Sequence, residues 1–436
     1  MSPYRSTRRW FTSLALSTPF WSAAAAQGAT SGDVSIKDFG AVADDSTVNT
    51  KAIQATIDHV AAGGGGTVVV PKGVFVSGAL FLKPKVNLHL DKDAVLKCST
   101  DLANFPVQRT RIEGHFEEKF NPALINAKNC DGLRITGEGT LDGAGQPIWD
   151  LFFKMRAAAP DPRNFPNVGV PRARMAIIEN SRGVTVEGIT FKDSQYWNLH
   201  LYKCDGVEVR QARFQVPDDV RQAPSTDGID LDSCQNVTVD GCYFSVTDDC
   251  IAAKGSKGPH ATEDKDSPPV EHIRVRNCTF KRGNGIVTLG SEATLVRDVI
   301  VENCKVIGAV TIAVLKLRPD TPQHYEDIHF RDITLDYAAG GTIVSCRPWS
   351  QYVDLKGEAP PKSTVRNVSM SGIKGRFGSF GTIQPNPGQT EISDISFKDI
   401  DVTLDKDKLT TSGVSQLRFE HVIVNGKEVS APTSQG

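Results

Sequence analysis

The sequence predicts an all-β fold, a single-stranded right-handed parallel β-helix with a short N-terminal capping helix. Three observations favour it: a unit repeats along most of the chain, its copies contain short β-branched segments, and Gly, Asn or Asp stand just before those segments. In a solenoid, stacked copies of such a unit bury a continuous core that one copy alone could not bury. We therefore expect residues 28–436 to form one elongated domain.

The repeated unit has the form apolar-x-x-apolar-x-apolar-x-x-apolar. Successive copies begin 22 to 40 residues apart, except for a gap of 51 between the first two, where we expect a less regular coil. A propeller would require regular four-strand blades, and a leucine-rich horseshoe would require a Leu-x-x-Leu-x-Leu frame. The sequence contains neither pattern. The ten clearest copies begin at residues 130, 181, 204, 234, 270, 296, 325, 365, 392 and 414.

The nine cysteines fit the interior of this helix, because cysteine is among the most buried residues and packs as a small apolar group. The sequence has no Cys-x-x-Cys metal spacing. Disulfides between neighbouring coils remain open for an oxidising compartment. Aligned copies place six cysteines in two columns shared with apolar residues: Cys242, Cys278 and Cys304 in one, and Cys130, Cys204 and Cys234 in the other.

The segment DDSTVNTKAIQATIDHVAAGGGG predicts the capping helix. Thr47 or Asn49 can begin it, and Ile53, Ile57 and Val60 follow at helical spacing before a glycine run ends it. A helix at the open end of the coil stack would cover strand edges that could otherwise recruit other chains. The glycines follow this helix instead of preceding one, so they do not match a phosphate-binding loop.

Residues 1–27 have the layout of an export signal, with a basic start, an apolar middle and a run of alanines. Arg8 and Arg9, with Phe11 two positions on, indicate the twin-arginine type, and an ordinary secretory signal is the alternative. We therefore expect a periplasmic or secreted protein. No later run is long enough to cross a bilayer.

The formal net charge of −2 gives no support for nucleic-acid or membrane-surface binding, since both favour a basic stripe. We expect a monomer that acts without cofactor or metal.

Three carboxylates form the candidate catalytic group. Asp227 and Asp248 lie 21 residues apart in the matching contexts TDGI and TDDCI, and Asp249 follows directly. Residues one coil apart stack about 4.8 Å from each other, so we expect Asp227 beside Asp248 on one outer face. Aligning AAKGS at 252 with VTLGS at 287 predicts Asn284 beside Asp249. One coil further, alternation with Leu315 and Leu317 turns Lys316 and Arg318 to the same side.

Three carboxylates this close repel one another, so at least one should have a raised pKa and hold a proton near neutrality. Glycosidases use such a group: one acid protonates the leaving oxygen, and another carboxylate activates water or attacks. Lys316 and Arg318 would suit an anionic sugar. Asp residues at coil corners can also be simple turn formers, and clustered carboxylates can bind calcium.

At these residues the chain resembles family 28 of the glycoside hydrolases, the polygalacturonases and related pectin hydrolases. The resemblance covers nearly all of the chain after residue 27 and includes GEGTLDGAGQPIW, STDGIDLDSCQNV and TDDCIAAKGS. It implies that Asp248 is the general acid, that Asp227 and Asp249 hold the attacking water, and that the anomeric centre is inverted.

Three of the four motifs of that family are altered. Asn-Thr-Asp becomes Ser225-Thr226-Asp227, Gly-His-Gly carries Asn284 in place of His, and Arg-Ile-Lys becomes Lys-Leu-Arg at 316–318. We therefore expect a variant pectic linkage, such as rhamnogalacturonan, or action at a chain end, instead of plain endo-cleavage of polygalacturonan. The expected substrate contacts are Ser225, Asn284, Lys316, Arg318 and Trp349.

Two loops could turn an open groove into a pocket: residues 257–272 and the segment after Lys-Leu-Arg that carries Trp349 and Tyr352. These two aromatic side chains could stack on a sugar ring or hold the loop down. The alternatives to hydrolysis are a pectate-lyase-like enzyme and a non-catalytic carbohydrate-binding β-helix.

Overall fold

The structure, a computed structural model, describes residues 32–337 and 339–432, so the expected export signal lies outside the described residues. The chain forms a single right-handed parallel β-helix, as predicted. Strand pairing is parallel apart from the final pair, β32 with β33, and the separate hairpin β7–β8. The first strands are β1 Val34–Ser35, β2 Gly66–Val70, β3 Gly73–Ser77, β4 Leu80–Leu82, β5 Val86–Leu90, β6 Ala94–Cys98, β7 Gln108–Ile112, β8 His115–Phe120, β9 Ile125–Lys128, β10 Arg134–Gly137 and β11 Thr140–Asp142.

The middle of the chain is the most regular part, with three short strands in most coils. Each strand pairs with its equivalent one coil later, so three flat faces run along the helix. These strands are β12 Ala176–Glu179, β13 Arg182–Glu187, β14 Thr190–Lys192, β15 Leu199–Tyr202, β16 Asp205–Arg210, β17 Arg213–Gln215, β18 Ile229–Asp232, β19 Gln235–Asp240, β20 Tyr243–Ser245, β21 Ile251–Lys254, β22 Val270–Arg276, β23 Thr279–Arg282 and β24 Gly285–Leu289.

Towards the C-terminus two faces merge into longer strands that bend at the coil corners. We call the surface that runs through β12, β15, β18, β21, β24, β26, β28 and β30 the first face. The last strands are β25 Leu295–Val306, β26 Thr311–Leu317, β27 His324–Asp336, β28 Thr342–Pro348, β29 Ser363–Ser371, β30 Lys374–Ile383, β31 Thr390–Thr411, β32 Val414–Val424 and β33 Lys427–Glu428.

Ladders of identical positions fill the interior. Phe191, Phe214, Phe244 and Phe280 stack in successive coils, with ring centroids 4.8, 5.0 and 5.1 Å apart. The strand registers confirm both predicted cysteine columns, because the strands that flank these residues pair coil to coil. All nine cysteines are buried and free of disulfides. They therefore act as small core residues.

The predicted capping helix is α1, Thr50–Ala62, and its buried side includes Ile53, Ile57 and Val60. Asn49 precedes it, but the Asn49 side chain makes no capping hydrogen bond. It instead accepts from the Val42 backbone N–H at 2.7 Å and donates to the carbonyl of the same residue at 3.0 Å. Asn49 thus ties the preceding loop to the helix start.

The gap of 51 residues between the first two repeats contains a second helix, α2, Gln146–Ala158, between β11 and β12. The coil itself is regular there, because β11 pairs with β14 and β9 pairs with β12. The extra residues are an insertion beside the first face. Four short 3-10 helices complete the secondary structure: Ile36–Phe39, Leu102–Asn104, Asn167–Gly169 and Ala261–Glu263. In the described part of the chain, neither α-helix has the length and apolar character needed to cross a membrane.

Candidate active site

The register of the first face brings the three predicted acids together, but with a different pairing. Ile229 pairs with Ile251, an offset of 22 residues, so Asp227 lies beside Asp249. The strand register therefore does not pair Asp227 with Asp248 as expected, although the two side chains lie together on the same outer face. TDDCI has one residue more than TDGI before its isoleucine, and the buried isoleucines set the register. One oxygen of each acid lies within 4.8 Å of the other two.

Asn284 contacts Asp248, and not Asp249 as the sequence alignment predicted. Its side-chain Nδ2 donates to Asp248 Oδ1 at 3.0 Å, and its backbone N–H donates to the Asp248 carbonyl at 2.8 Å. The register from Ala252 to Thr288 is 36 residues, one more than the alignment assumed. Asn284 therefore orients the carboxyl group of Asp248.

Lys316 lies where the sequence predicted, beside the acids. Its Nζ donates to Asp249 Oδ2 at 3.0 Å and stands 4.9 Å from the centre of the Trp349 ring. Thr288 donates to the other oxygen of Asp249 at 2.7 Å. Asp249 is thus a buried carboxylate fixed by two donors.

Arg318 does not face the acids, which corrects its predicted role as a substrate contact. Its buried guanidinium donates to both carboxylate oxygens of Asp320 at 2.8 Å and to the carbonyls of Gln351 and Tyr352. These bonds anchor the loop after β28. The rigid fork of an arginine suits this task because it can hold a carboxylate and two carbonyls at once.

Sequence reasoning missed a second buried lysine in the cluster. Lys254 Nζ lies 3.6 Å from Asp227 Oδ2, 3.6 Å from Asp230 Oδ1 and 3.5 Å from Glu292 Oε2. It also stands 4.6 Å from the centre of the Trp197 ring. Alternation along Ile251–Lys254 could have identified it. Ile251 and Ala253 face the core, so Ala252 and Lys254 face outward, on the side of the acids. Glu292, in contrast, follows β24 in a loop and carries no repeat signal.

Burial and mutual repulsion raise the pKa values of three acids in this cluster. Burial, then Asp248 and Asp230, raises the pKa of Asp227 well above its usual range. Burial and then Asp249 raise the pKa of Asp248, while Lys316 opposes the rise. Asp230 has the same upward shift, caused first by burial. These upward shifts favour a protonated acid at the base of the site, as a general acid requires.

The lysines remain charged. Burial alone would lower the pKa of Lys254, but Glu292, Asp227 and Asp230 raise it well above its usual range. Burial also disfavours the charged form of Lys316, but the acids beside it, Asp249 above all, outweigh this effect and the pKa of Lys316 is raised. Two ammonium groups thus balance much of the negative charge that calcium would otherwise neutralise in a carboxylate cluster.

The acids open into a cavity of about 350 Å³. Its walls come from segments outside the regular coils. Glu113, at the tip of hairpin β7–β8, closes one side and accepts a hydrogen bond from Tyr196 at 2.6 Å. Phe152 and Arg156 of α2 form another wall, and Ser225, Trp349 and Tyr352 also line the space.

A bridge over the first face closes the cavity beyond Lys316. The hydroxyl of Tyr352 donates to the carbonyl of Phe165 at 2.6 Å, and Gln351 contacts the carbonyl of Arg163. Tyr352 therefore holds its loop down, one of the two expected roles. The predicted wall at 257–272 contributes none of the cavity residues. That loop instead packs behind the hairpin, where the Tyr202 hydroxyl donates to the Asp266 carbonyl.

A walled pocket with clustered carboxylates on the outside of a β-helix is the arrangement expected of a polysaccharide-cleaving enzyme. Residues 65–421 match the family described as "Glycosyl hydrolases family 28". The chain belongs to this family.

Individual relatives are distant. A "Probable polygalacturonase" of Vitis vinifera is 27% identical over 69% of this chain, which spans only 60% of the grapevine protein. An "Exopolygalacturonase" of Zea mays is 26% identical over 79% of this chain and 77% of its own length. A crystal structure titled as a hyperthermoactive exopolygalacturonase from Thermotoga maritima superposes with a TM-score of 0.71 at 24% identity, covering 91% of this chain and 92% of that one. This last likeness is one of fold.

Proposed function

We propose that this protein hydrolyses glycosidic bonds in galacturonic-acid-containing pectic poly- or oligosaccharides and that it acts at chain ends. The observation that carries the proposal is the group of three carboxylates within 4.8 Å of one another, beside the ammonium groups of Lys254 and Lys316 at the base of a walled cavity. Membership of glycosyl hydrolase family 28 supports the reaction class.

In the proposed mechanism Asp248 is the general acid. Burial and Asp249 raise the pKa of its carboxyl, which favours the protonated form, and Asn284 orients it towards the cavity. It gives its proton to the glycosidic oxygen as the bond to the leaving sugar breaks. Asp227 and Asp249 hold the water that attacks the anomeric carbon, and Asp249, the carboxylate that Lys316 and Thr288 contact, accepts its proton, so the new hydroxyl ends on the sugar.

Action at chain ends is supported by the walls of the cavity. The tip of hairpin β7–β8 walls one side of the cavity, with Gly114 against Gly255 and Glu292, and the Tyr352–Phe165 contact closes the first face on the C-terminal side of the acids. An internal segment of a polymer would have to pass through both. The name of the maize relative, "Exopolygalacturonase", agrees with this interpretation.

The direct test is product analysis. Polygalacturonate and defined pectic oligosaccharides, including rhamnogalacturonan fragments, would be incubated with the enzyme and their products separated by mass. Action at chain ends predicts that a small terminal product accumulates from the start while the viscosity of the polymer falls slowly. A ladder of intermediate sizes at early times would refute it.

Stereochemistry offers a second test because two arguments diverge. General acid and base carboxylates of inverting enzymes usually stand about 6.5–9.5 Å apart, and closer pairs are typical of retention. The acids here are closer than that, whereas the family resemblance implies inversion. We propose inversion, with both Asp227 and Asp249 holding water. Proton NMR of the first-formed product should reveal the inverted anomer, and the retained anomer would instead assign one of them as a nucleophile.

Asn284 tests the proposed variant linkage. If Asn284 reflects a different sugar in the site, Asn284→His should lower activity on the true substrate without raising activity on plain polygalacturonan, because the larger ring fills space beside Asp248. A clear gain on polygalacturonan would identify an impaired polygalacturonase instead.

We also propose export to the periplasm or the medium, on the basis of residues 1–27. Replacing Arg8 and Arg9 together by lysine should leave the protein in the cytoplasm. Unchanged export of that variant would point to an ordinary secretory signal.

A further inference from the structure

A second depression, of about 520 Å³, lies on the first face beyond the bridge of Tyr352. It is separate from the cavity that holds the acids, and the two share no lining residue. We call it the C-terminal strip and define it by Thr342, Ser345, Arg347, Thr382, Lys406 and Lys408.

The strip consists of aligned rows of hydroxyl groups. Thr311, Thr342 and Ser379 occupy one row in successive coils, and the same row ends at Lys406. Because neighbouring strands lie about 4.8 Å apart, hydroxyl groups repeat at that spacing along the helix axis.

A parallel row contains Ser345, Thr382 and Thr410. None of these three hydroxyl groups has a hydrogen-bond partner among the described residues. In the first row the hydroxyls of Thr342 and Ser379 hydrogen-bond to each other, so that row offers a hydroxyl-rich ligand mainly acceptor oxygens, whereas the second row offers both donors and acceptors.

Cations border the rows. Arg347, Lys406 and Lys408 are exposed and form no ion pair with any other described residue, and Asp407 is the acid among the lining residues. The strip therefore has a local excess of positive charge on a protein of net charge −2.

The backbone shapes the depression. The register of β30 and β31 shifts between Ser379 and Gly381, and such bulges re-aim the side chains beside them. Gly381 has φ +128°, and a Cβ there would lie 1.8 Å from the Val344 carbonyl oxygen. The floor of the strip thus depends on a close backbone approach that only glycine permits.

We propose that the C-terminal strip is a second binding site, for an uncleaved stretch of anionic polysaccharide. Sugar hydroxyls would bond to the two hydroxyl rows, and carboxylates would pair with Arg347, Lys406 and Lys408. The choice of pectic acid as the ligand rests on the proposed function. A protein anchored here keeps its walled cavity near further chain ends of the same polymer.

Binding is tested without turnover in the Asp248→Asn protein, with long polygalacturonate as the probe. Adding Lys406→Glu and Lys408→Glu should weaken binding about tenfold at low salt, since two favourable charge contacts become repulsive. The control pair, Lys51→Glu with Lys92→Glu, changes the net charge equally at the other end of the chain and should leave binding unchanged.

Activity supplies the second readout in the protein with an intact Asp248. The strip variant should retain its rate on a galacturonate disaccharide or trisaccharide, which fills the cavity alone, and need several-fold more long polymer to reach half-maximal rate. Binding of polygalacturonate that is unaffected by the strip variant would overturn the proposal, and so would an equal loss in the control pair. Tighter binding of DNA or of anionic vesicles at the same lysines would also overturn it. Each of these results leaves hydrolysis itself intact, so the proposed function is judged separately.

Discussion

The two sides of one strand in this protein follow different rules. The inner side of β18 and β21 continues ladders of apolar residues from coil to coil, and each residue meets a chemically similar partner. The outer side of the same strands carries Asp230 and Lys254, with Asp227 just before β18, and the neighbours of these residues differ in every coil. The interior therefore depends on repetition, whereas the chemistry depends on where repetition is interrupted.

The largest effect should come from the outer side. Asp248→Asn removes the proton donor but leaves an equally large side chain beside Asn284, so turnover should fall by about 10²- to 10⁴-fold. Thermal unfolding should be nearly unchanged. Activity within a few-fold of wild type would remove Asp248 from the role of general acid.

A change on the inner side should lower stability and leave turnover nearly unchanged. Phe244 is fully buried between Phe214 and Phe280, so Phe244→Ala should lower the free energy of unfolding by about 3–5 kcal/mol. The turnover of the folded fraction should change little. Phe244→Leu is the matched control and should cost about 1 kcal/mol, measured by the same denaturant titration. Equal losses in the two variants would mean that the ring stack does not depend on close packing.

The buried charges should set the pH profile. Lys254 lowers the pKa values of Asp227, Asp230 and Asp248, so Lys254→Met should raise them and move the pH–rate profile about one unit to higher pH. A general acid works while protonated, so the alkaline loss of activity would then begin later.

Glu292→Gln removes the negative charge that faces Lys254, so its effect on the neighbouring carboxyl pKa values should be opposite to that of Lys254→Met. It should move the profile to lower pH. Opposite shifts would distinguish electrostatics from structural damage, which would lower activity at every pH. Shifts in one common direction would contradict the role assigned to this pair.

The smallest effect concerns Ser225, which has φ +58°. Asparagine tolerates this left-handed conformation better than serine does, so Ser225→Asn should stabilise the protein by about 0.5 kcal/mol. Differential scanning calorimetry would detect the small rise in Tm, and Ser225→Ala should lower it. A fall in Tm with asparagine would mean that the contact of Ser225 Oγ with Arg172 outweighs the backbone effect.

The fold could be predicted from the sequence because the interior repeats. The cysteine columns, the capping helix and the inward Leu315 and Leu317 all follow from alternation and period, which register preserves. The insertion that carries α2 interrupted that pattern, so only a gap was visible.

The site could be predicted in composition but not in detail. Alternation placed Lys316 correctly, whereas one additional residue before Ile251 changed the register partner of Asp227. Asn284 was placed one residue away from its true partner because the alignment of β21 with β24 was wrong by one residue. Arg318 was misassigned because its partner, Asp320, lies beyond the strand, where alternation no longer applies. The hairpin tip at Glu113 reaches the cavity from a distant part of the chain, and no local pattern encodes such a contact.

Hydrolysis by water that the outer-face carboxylates activate is the central claim, and heavy-oxygen water tests it most directly. A galacturonate oligosaccharide digested in this solvent should gain one heavy oxygen at each new reducing end with wild-type protein. The Asp248→Asn protein should give almost no labelled product in the same time. Unlabelled, unsaturated products that absorb ultraviolet light and disappear on chelation would contradict the account, because they would identify a lyase.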